Sequence, residues 1–143
     1  MKSGLVTHSS SAGVFHLTKS QAERLPDLAA KAQRELKRLD FSACQTKQEA
    51  LMQLGRDLAL PKWYGANFDA LHDCLNDPDW RPKNGLIMNI SGLDHLQRKD
   101  PEAFSTLLEV LQASCQSESS AQNSALWFLL DTHAPSIKPL PKA

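Results

Sequence analysis

Two short runs, Leu86-Ile87-Met88-Asn89-Ile90 and Ala125-Leu126-Trp127-Phe128-Leu129-Leu130, are apolar almost throughout and are bounded by turn residues. A strand with one wet face alternates apolar and polar side chains, whereas a strand apolar at consecutive positions needs cover on both faces. Stretches with helical spacing lie before and between these runs, so strands and helices alternate along the chain. The expected fold is therefore α/β, a small parallel β-sheet covered by helices.

The rest of the chain fills in that outline. Residues 1–12, with Ser3, Ser9, Ser10 and Ser11, read as a flexible leader, and Gly13-Val14-Phe15-His16-Leu17 as a short strand. Ser20 with Glu23 fits a capping box, but Pro26 sits too deep for one continuous helix, so a turn and then a helix opening at Pro26 are expected. Leu25, Leu28, Ala29, Ala32, Leu36 and Leu39 form its apolar stripe, and Lys31, Arg34, Lys37 and Arg38 a basic side, solvated or used for binding. Phe41-Ser42-Ala43-Cys44 reads as a weak strand. Thr46 and Glu49 form a capping box for a helix with Ala50, Leu51, Leu54 and Leu58 inward. Asp100-Pro101 opens another helix, with Phe104, Leu107, Leu108, Leu111 and Cys115 on its buried side. The polar stretch 116–124 reads as a loop, and residues 134–143, with Pro135, Pro139 and Pro141, as a Pro-rich extended tail.

With 143 residues the chain is one domain of ordinary size, expected over 13–133 and able to bury a core without metals or bridges. Its formal charge is zero, so it lacks the basic signature of a nucleic-acid binder. Cys44, Cys74 and Cys115 are odd in number and far apart, which suits reduced thiols in a cytoplasm. No CxxC pair appears, and His8, His16, His72, His95 and His133 show no metal-ligand spacing. There is no nucleophile elbow or phosphate-binding glycine loop, so neither a metal nor a cofactor is expected. The N-terminus has no signal-peptide core, and no run approaches the roughly 20 apolar residues of a membrane span. The expectation is a soluble, cytoplasmic protein.

The most distinctive stretch is Leu60-Pro61-Lys62-Trp63-Tyr64-Gly65-Ala66-Asn67-Phe68-Asp69-Ala70-Leu71-His72-Asp73-Cys74-Leu75. Its first half is a Pro- and Gly-punctuated loop with two adjacent aromatics. Its second half is a helix opening at Asn67, whose side-chain oxygen can accept an orphaned backbone N–H. Steps of about 100° per residue gather Leu71, Cys74 and Leu75 on one side, with Phe68 and Ala70 at the margins. Asp69, Asp73 and Asp77 fall opposite, beside His72 and Asn76. Asp69 complements the positive helix start, but Asp73 one turn later adds like-charge repulsion of a few tenths of a kcal/mol. From Lys62 to Trp80 four acids face one base, a net −3 in a neutral chain. Two readings fit: a solvated acidic face, or an anionic recognition helix for a cationic site.

This run of Leu-Pro-x-aromatic-Tyr-Gly-x-Asn-x-Asp-Ala-Leu-x-Asp-Cys-Leu resembles the signature of the barstar family, intracellular protein inhibitors of the ribonuclease barnase. The resemblance covers roughly residues 39–131 and is strongest over 60–75. It implies a three-stranded parallel sheet with flanking helices, the signature helix joining an earlier helix to the second strand. Residues 13–38 then become an added strand and helix, giving four strands.

The resemblance also implies a site. In the family the signature loop and helix plug a ribonuclease active site, carboxylates standing in for RNA phosphate. Carried over by motif position, Asp73 is the central acid and Asp69 the second. Trp63 takes the place of the contacting aromatic, and Phe68 that of a leucine at the interface margin. Gly65 lets the loop lie close to a partner, and Asn67 fixes the helix start. For Tyr64 the competing reading is core packing, which also competes at Trp63 and Phe68. His72 stands where the family has a contacting tryptophan, and protonation there would offset the adjacent acids. A family acid on the helix before the last strand falls near Ala113, with Glu109 one turn earlier.

The expected function is thus a non-enzymatic, barstar-like inhibitor that plugs the cationic active site of a basic ribonuclease, of which a toxin is one kind. The alternative is a protein-binding module on the same fold with a non-nuclease partner, a reading that His72 and the missing acid favour. Asp69, His72 and Asp73 could be imagined as acid–base groups, but no further catalytic part accompanies them. Direct RNA binding is not expected, since the acidic surface repels phosphate.

Overall fold

The computed structural model describes residues 12–116 and 124–140. Apart from Ala12, the expected leader lies outside the described residues, as do most of the 116–124 loop and the last three residues of the tail. The described elements run β1 (Gly13–His16), α1 (Lys19–Ala32), β2 (Glu35–Asp40), α2 (Lys47–Asp57), α3 (Phe68–Leu75), β3 (Leu86–Ser91), α4 (Asp94–Lys99), α5 (Pro101–Cys115), β4 (Leu126–Leu130) and β5 (Lys138–Pro139). One five-stranded sheet has the order β2-β3-β4-β1-β5, and every pairing in it is parallel.

The two apolar runs occupy the middle of this sheet as β3 and β4, and each is covered on both faces. Leu86, Met88, Ile90, Leu126, Phe128 and Leu130 point to the face carrying α2 to α5. Ile87, Trp127 and Leu129 point the other way, onto Leu25 and Ala29 of α1. Alternation along a strand makes these opposite faces of one sheet. Arg34, in the turn after α1, lies over the Trp127 ring at 4.7 Å and donates to the Asn84 carbonyl.

Local chemistry sets several boundaries where the sequence places them. Thr46 Oγ1 accepts the Glu49 amide (3.1 Å) while Glu49 Oε1 accepts that of Thr46 (3.2 Å), closing the capping box of α2. Asp100 Oδ1 accepts the Ala103 amide at 3.1 Å, with Pro101 at the first position of α5.

Elsewhere tertiary contacts override the sequence pattern. The expected helix from Pro26 through Leu39 is two elements. α1 begins earlier, capped reciprocally by Thr18 and Gln21 rather than by Ser20 and Glu23, and it carries Pro26 inside on its exposed side. Water can there replace the donor that proline takes from the helix. Gln33, at φ 57°, ends α1, and Leu36 and Leu39 then belong to β2, held by six register pairs with β3. The supposed basic face therefore splits, with Lys31 on α1, Arg34 over Trp127, and Lys37 and Arg38 on opposite faces of β2. Phe41–Cys44 is a turn rather than a strand, closed by the Cys44 amide on the Phe41 carbonyl (2.9 Å). Gly92, at φ +83°, packs so tightly on the Ser42 backbone that no side chain fits there.

The Pro-rich end is also more than a tail. Lys138–Pro139 pairs with β1 as a fifth strand, and Ile137 and Leu140 are buried on opposite faces of the sheet. The Leu140 amide donates to His16 O (2.7 Å), Gln21 Nε2 to Leu140 O (2.9 Å), and the rings of His16 and His133 stack at 3.7 Å.

All three cysteines are free and buried. Burial pushes the Cys115 thiol from 9.0 up to about 12, and the Tyr64 phenol from 10.0 to about 12. Both groups ionise earlier in the unfolded chain than in the folded one. Stability is therefore full below pH 9 and falls as pH rises from 9 towards 12. Cys115 alone gives a slope on the order of 1.4 kcal/mol per pH unit. Urea midpoints at pH 8 and pH 10.5 should show the drop, and Cys115→Ala should reduce it.

Candidate functional site: the Trp63 loop and the acidic helix

The loop between α2 and α3 is shaped by backbone geometry and one aromatic clamp. α2 ends at Leu58, Ala59 turns left-handed at φ 51°, and the Leu60 amide returns to Gly55 O at 3.0 Å. The Tyr64 amide donates to Pro61 O (2.9 Å), and its hydroxyl reaches back to Leu51 O (2.7 Å). The Tyr64 ring lies directly on Gly55, where a Cβ would stand 2.7 Å from ring carbon Cε2. A glycine in a helix interior usually reflects such a packing demand. Tyr64 therefore packs inward, and its neighbour Trp63 is left 57% exposed.

Gly65 does not supply the unusual backbone angle of this loop; Ala66 does, at φ 53°. Gly65 is exposed, and a Cβ on it would meet only the side-chain Nδ2 of Asn67, at 3.2 Å. Asn67 then caps α3 as its sequence suggests, Oδ1 accepting the Ala70 amide at 2.8 Å.

α3 buries Leu71, Cys74 and Leu75, with Phe68 half-buried against the core. Asp69, His72 and Asp73 are on the outer side, Asp73 with its side chain 69% exposed. His72 Nδ1 is 3.7 Å from Asp73 Oδ1. Among the described residues no Lys or Arg side chain forms an ion pair with Asp69 or Asp73. Ala113 and Glu109 are both exposed on α5, which packs beside α3.

The helix is anchored at both ends. At its C-terminus Asn76 Nδ2 donates to His72 O (2.7 Å), and Arg81 Nη1 to Leu75 O (2.7 Å). Trp80 Nε1 donates to Leu58 O (2.8 Å), tying the following turn to the end of α2. The sequence singled out neither Gly55 nor Arg81 as support for this element. The mid-helix glycine was a signal for the first; nothing local marks the second.

The family described as Barstar (barnase inhibitor) matches residues 34–131. The chain belongs to the barstar family. The match begins at the turn before β2, so β2, β3 and β4 are its strands, while β1, α1 and β5 lie outside it. Proteins of this family are non-enzymatic inhibitors, and membership gives this chain a general binding or inhibitory role towards a protein partner. No curated protein sequence matches the chain. The described residues contain no cluster of three or more His, Cys, Asp or Glu side chains able to hold a metal.

The clamp on Gly55 yields a prediction. Alanine in an exposed helix interior gains roughly 1 kcal/mol over glycine. Here the added methyl must push the Tyr64 ring away, and overpacking typically costs about 1–3 kcal/mol. Gly55→Ala should therefore give no net stabilisation in urea unfolding, and a changed near-UV circular dichroism signal from the displaced Trp63–Tyr64 loop.

Proposed function

We propose that this barstar-family protein is an intracellular ribonuclease inhibitor, cytoplasmic in keeping with its buried free thiols, that seats α3 and Trp63 in the cationic active-site cleft of a basic ribonuclease. The observation that carries this reading is the pair Asp69 and Asp73, exposed on the outer side of a helix fixed at both ends and paired with no Lys or Arg of the described chain. A ribonuclease cleft holds phosphate with Lys, Arg and His, and those donors bind a carboxylate by the same charge-assisted hydrogen bonds. A rigid helix presents the two acids with little ordering cost. Asp73 takes the central place, Asp69 supports it one turn away, and Trp63 is the flat anchor beside them, with Gly65, Asn67, Phe68 and His72 completing the docking surface.

A non-nuclease protein partner is the second reading, supported by His72, a titratable ring next to Asp73 where the family carries tryptophan. The deciding experiment is inhibition of a panel of purified basic ribonucleases, barnase included, at low and high salt. The inhibitor reading expects nanomolar or tighter inhibition at low salt that weakens as salt screens the opposed charges. Absence of inhibition across the panel would favour the second reading.

A further inference from the structure

We infer that the docking surface does not end at α3 and Trp63 but continues onto α2, with Met52 as a second apolar anchor for the same basic ribonuclease. This extension rests on the inhibitor reading above. It begins from area. Eight residues at about 1.5 Å each make α3 roughly 12 Å long and 10 Å across, far short of the ~800 Å² that a stable interface buries on each partner. Most of the footprint must therefore come from the surroundings of α3.

Those surroundings are not equivalent. The turn beyond α3 adds further acids, Asp77 and Asp79. α5 presents Glu109 and the small Ala113. Among the described residues, the exposed apolar bulk lies on α2 and the loop that leaves it. Of these described residues, Met52 (49% exposed) and Trp63 (57%) are the exposed large hydrophobic side chains. Trp63 precedes Tyr64 in the loop. Met52 follows Leu51, whose carbonyl accepts the Tyr64 hydroxyl, and lies three residues before Gly55, under the Tyr64 ring. Residues three apart share a helix flank, so Met52 and Gly55 bring α2 up to one side of the aromatic clamp. Interface centres are enriched in aromatic residues and methionine and depleted of charge, and a flexible thioether adapts to an irregular partner surface. The surface thus has an acidic half on α3, opposite the phosphate-binding cleft, and an apolar half across Trp63 and Met52, opposite its rim.

The test measures inhibition constants for barnase and the basic ribonuclease panel with Met52→Ala, Met52→Lys, Asp73→Ala and a distant control, Glu23→Lys on α1 across the sheet. Urea curves verify that each variant folds. Met52→Ala should weaken inhibition about 5- to 30-fold without changing its salt dependence, Met52→Lys more than 50-fold, and Glu23→Lys less than 2-fold. If Asp73→Ala weakens inhibition while Met52→Lys stays within 2-fold of the parent, the extension onto α2 is overturned and the inhibitor reading stands. If no ribonuclease is inhibited, the inhibitor reading itself falls and the extension with it; if inhibition is unchanged by Asp73→Ala, docking through the acidic face of α3 falls, and the extension built on it falls too.

Discussion

Asp73→Ala should weaken inhibition of a basic ribonuclease by roughly 30-fold to several thousand-fold at low salt, and do so without destabilising the inhibitor. The range corresponds to the roughly 2–5 kcal/mol lost when one member of a desolvated charge pair is truncated, a span drawn partly from the barnase–barstar pair itself. Most of that loss falls on the partner, whose cationic groups stay buried without their carboxylate. Asp69→Ala should cost less, because Asp69 also faces the positive start of α3, which already compensates part of its charge. Stability should move the other way. Asp69 and Asp73 are like charges four residues apart, and no Lys or Arg of the described chain forms an ion pair with them. Removing one relieves a few tenths of a kcal/mol of repulsion. Urea unfolding of Asp73→Ala should give an unchanged or slightly higher midpoint, while its inhibition constant becomes weaker and less dependent on salt. Loss of inhibition accompanied by loss of stability would point to a structural role for Asp73. Asp73→Asn, close in shape but uncharged, separates charge from fit.

How far the molecule could be read beforehand depended on whether a neighbour in sequence or a neighbour in space decides each element. β3 and β4 were legible because unbroken apolar runs leave few alternatives, and α2, α3 and α5 because Thr46, Asn67 and Asp100 cap them by bonds within three residues. β2 was not, because Leu36 and Leu39 continue by coincidence the helical spacing of Leu25, Leu28, Ala29 and Ala32. What makes them a strand is the ladder with β3, about fifty residues away in sequence. β5 was hidden by its prolines and exists because β1 offers it an edge. α4 is short and has no side-chain cap at Leu93, so it carries no starting signal.

The candidate site divides along the same line. The outward placement of Asp69 and Asp73 and the inward placement of Leu71, Cys74 and Leu75 follow from rotation about a single helix axis. The competing packing role holds for Tyr64, not for Trp63, because only Tyr64 has a glycine on α2 to lie against. That contact joins two elements, so helical periodicity alone could not show it. The same is true of Met52, whose exposure depends on what α2 leaves uncovered.

Arg81 couples the fold to the site, and Arg81→Met should be the most destabilising of the substitutions considered, by about 3–5 kcal/mol summed over the acceptors it leaves without a donor. The side chain is only 4% exposed. Its Nη1 donates to Leu75 O (2.7 Å) and Ser114 O (3.1 Å), and its Nε to Ser124 O (2.9 Å). Leu75 ends α3, and Ser114 is next to last in α5, so one cation answers the negative ends of two helices. Burial lowers the guanidinium pKa, but arginine stays charged throughout the working range. Methionine fills similar space yet donates nothing, leaving two buried carbonyls, Leu75 O and Ser114 O, unsatisfied at a cost on the order of 1–3 kcal/mol each, and the part-buried Ser124 O at less, partly recovered by relaxation. Arg81→Lys should recover only part of this, because a compact ammonium lacks the planar fork that reaches all three. The expected readouts are a large fall in urea midpoint and faster amide exchange at the end of α3. Where the variant remains folded, inhibition should also weaken although no docking side chain has changed, because α3 must then be ordered at the moment of binding. A folded Arg81→Met with full inhibitory strength would instead mean that the partner, and not the anchored helix, supplies the ordering of the acidic face.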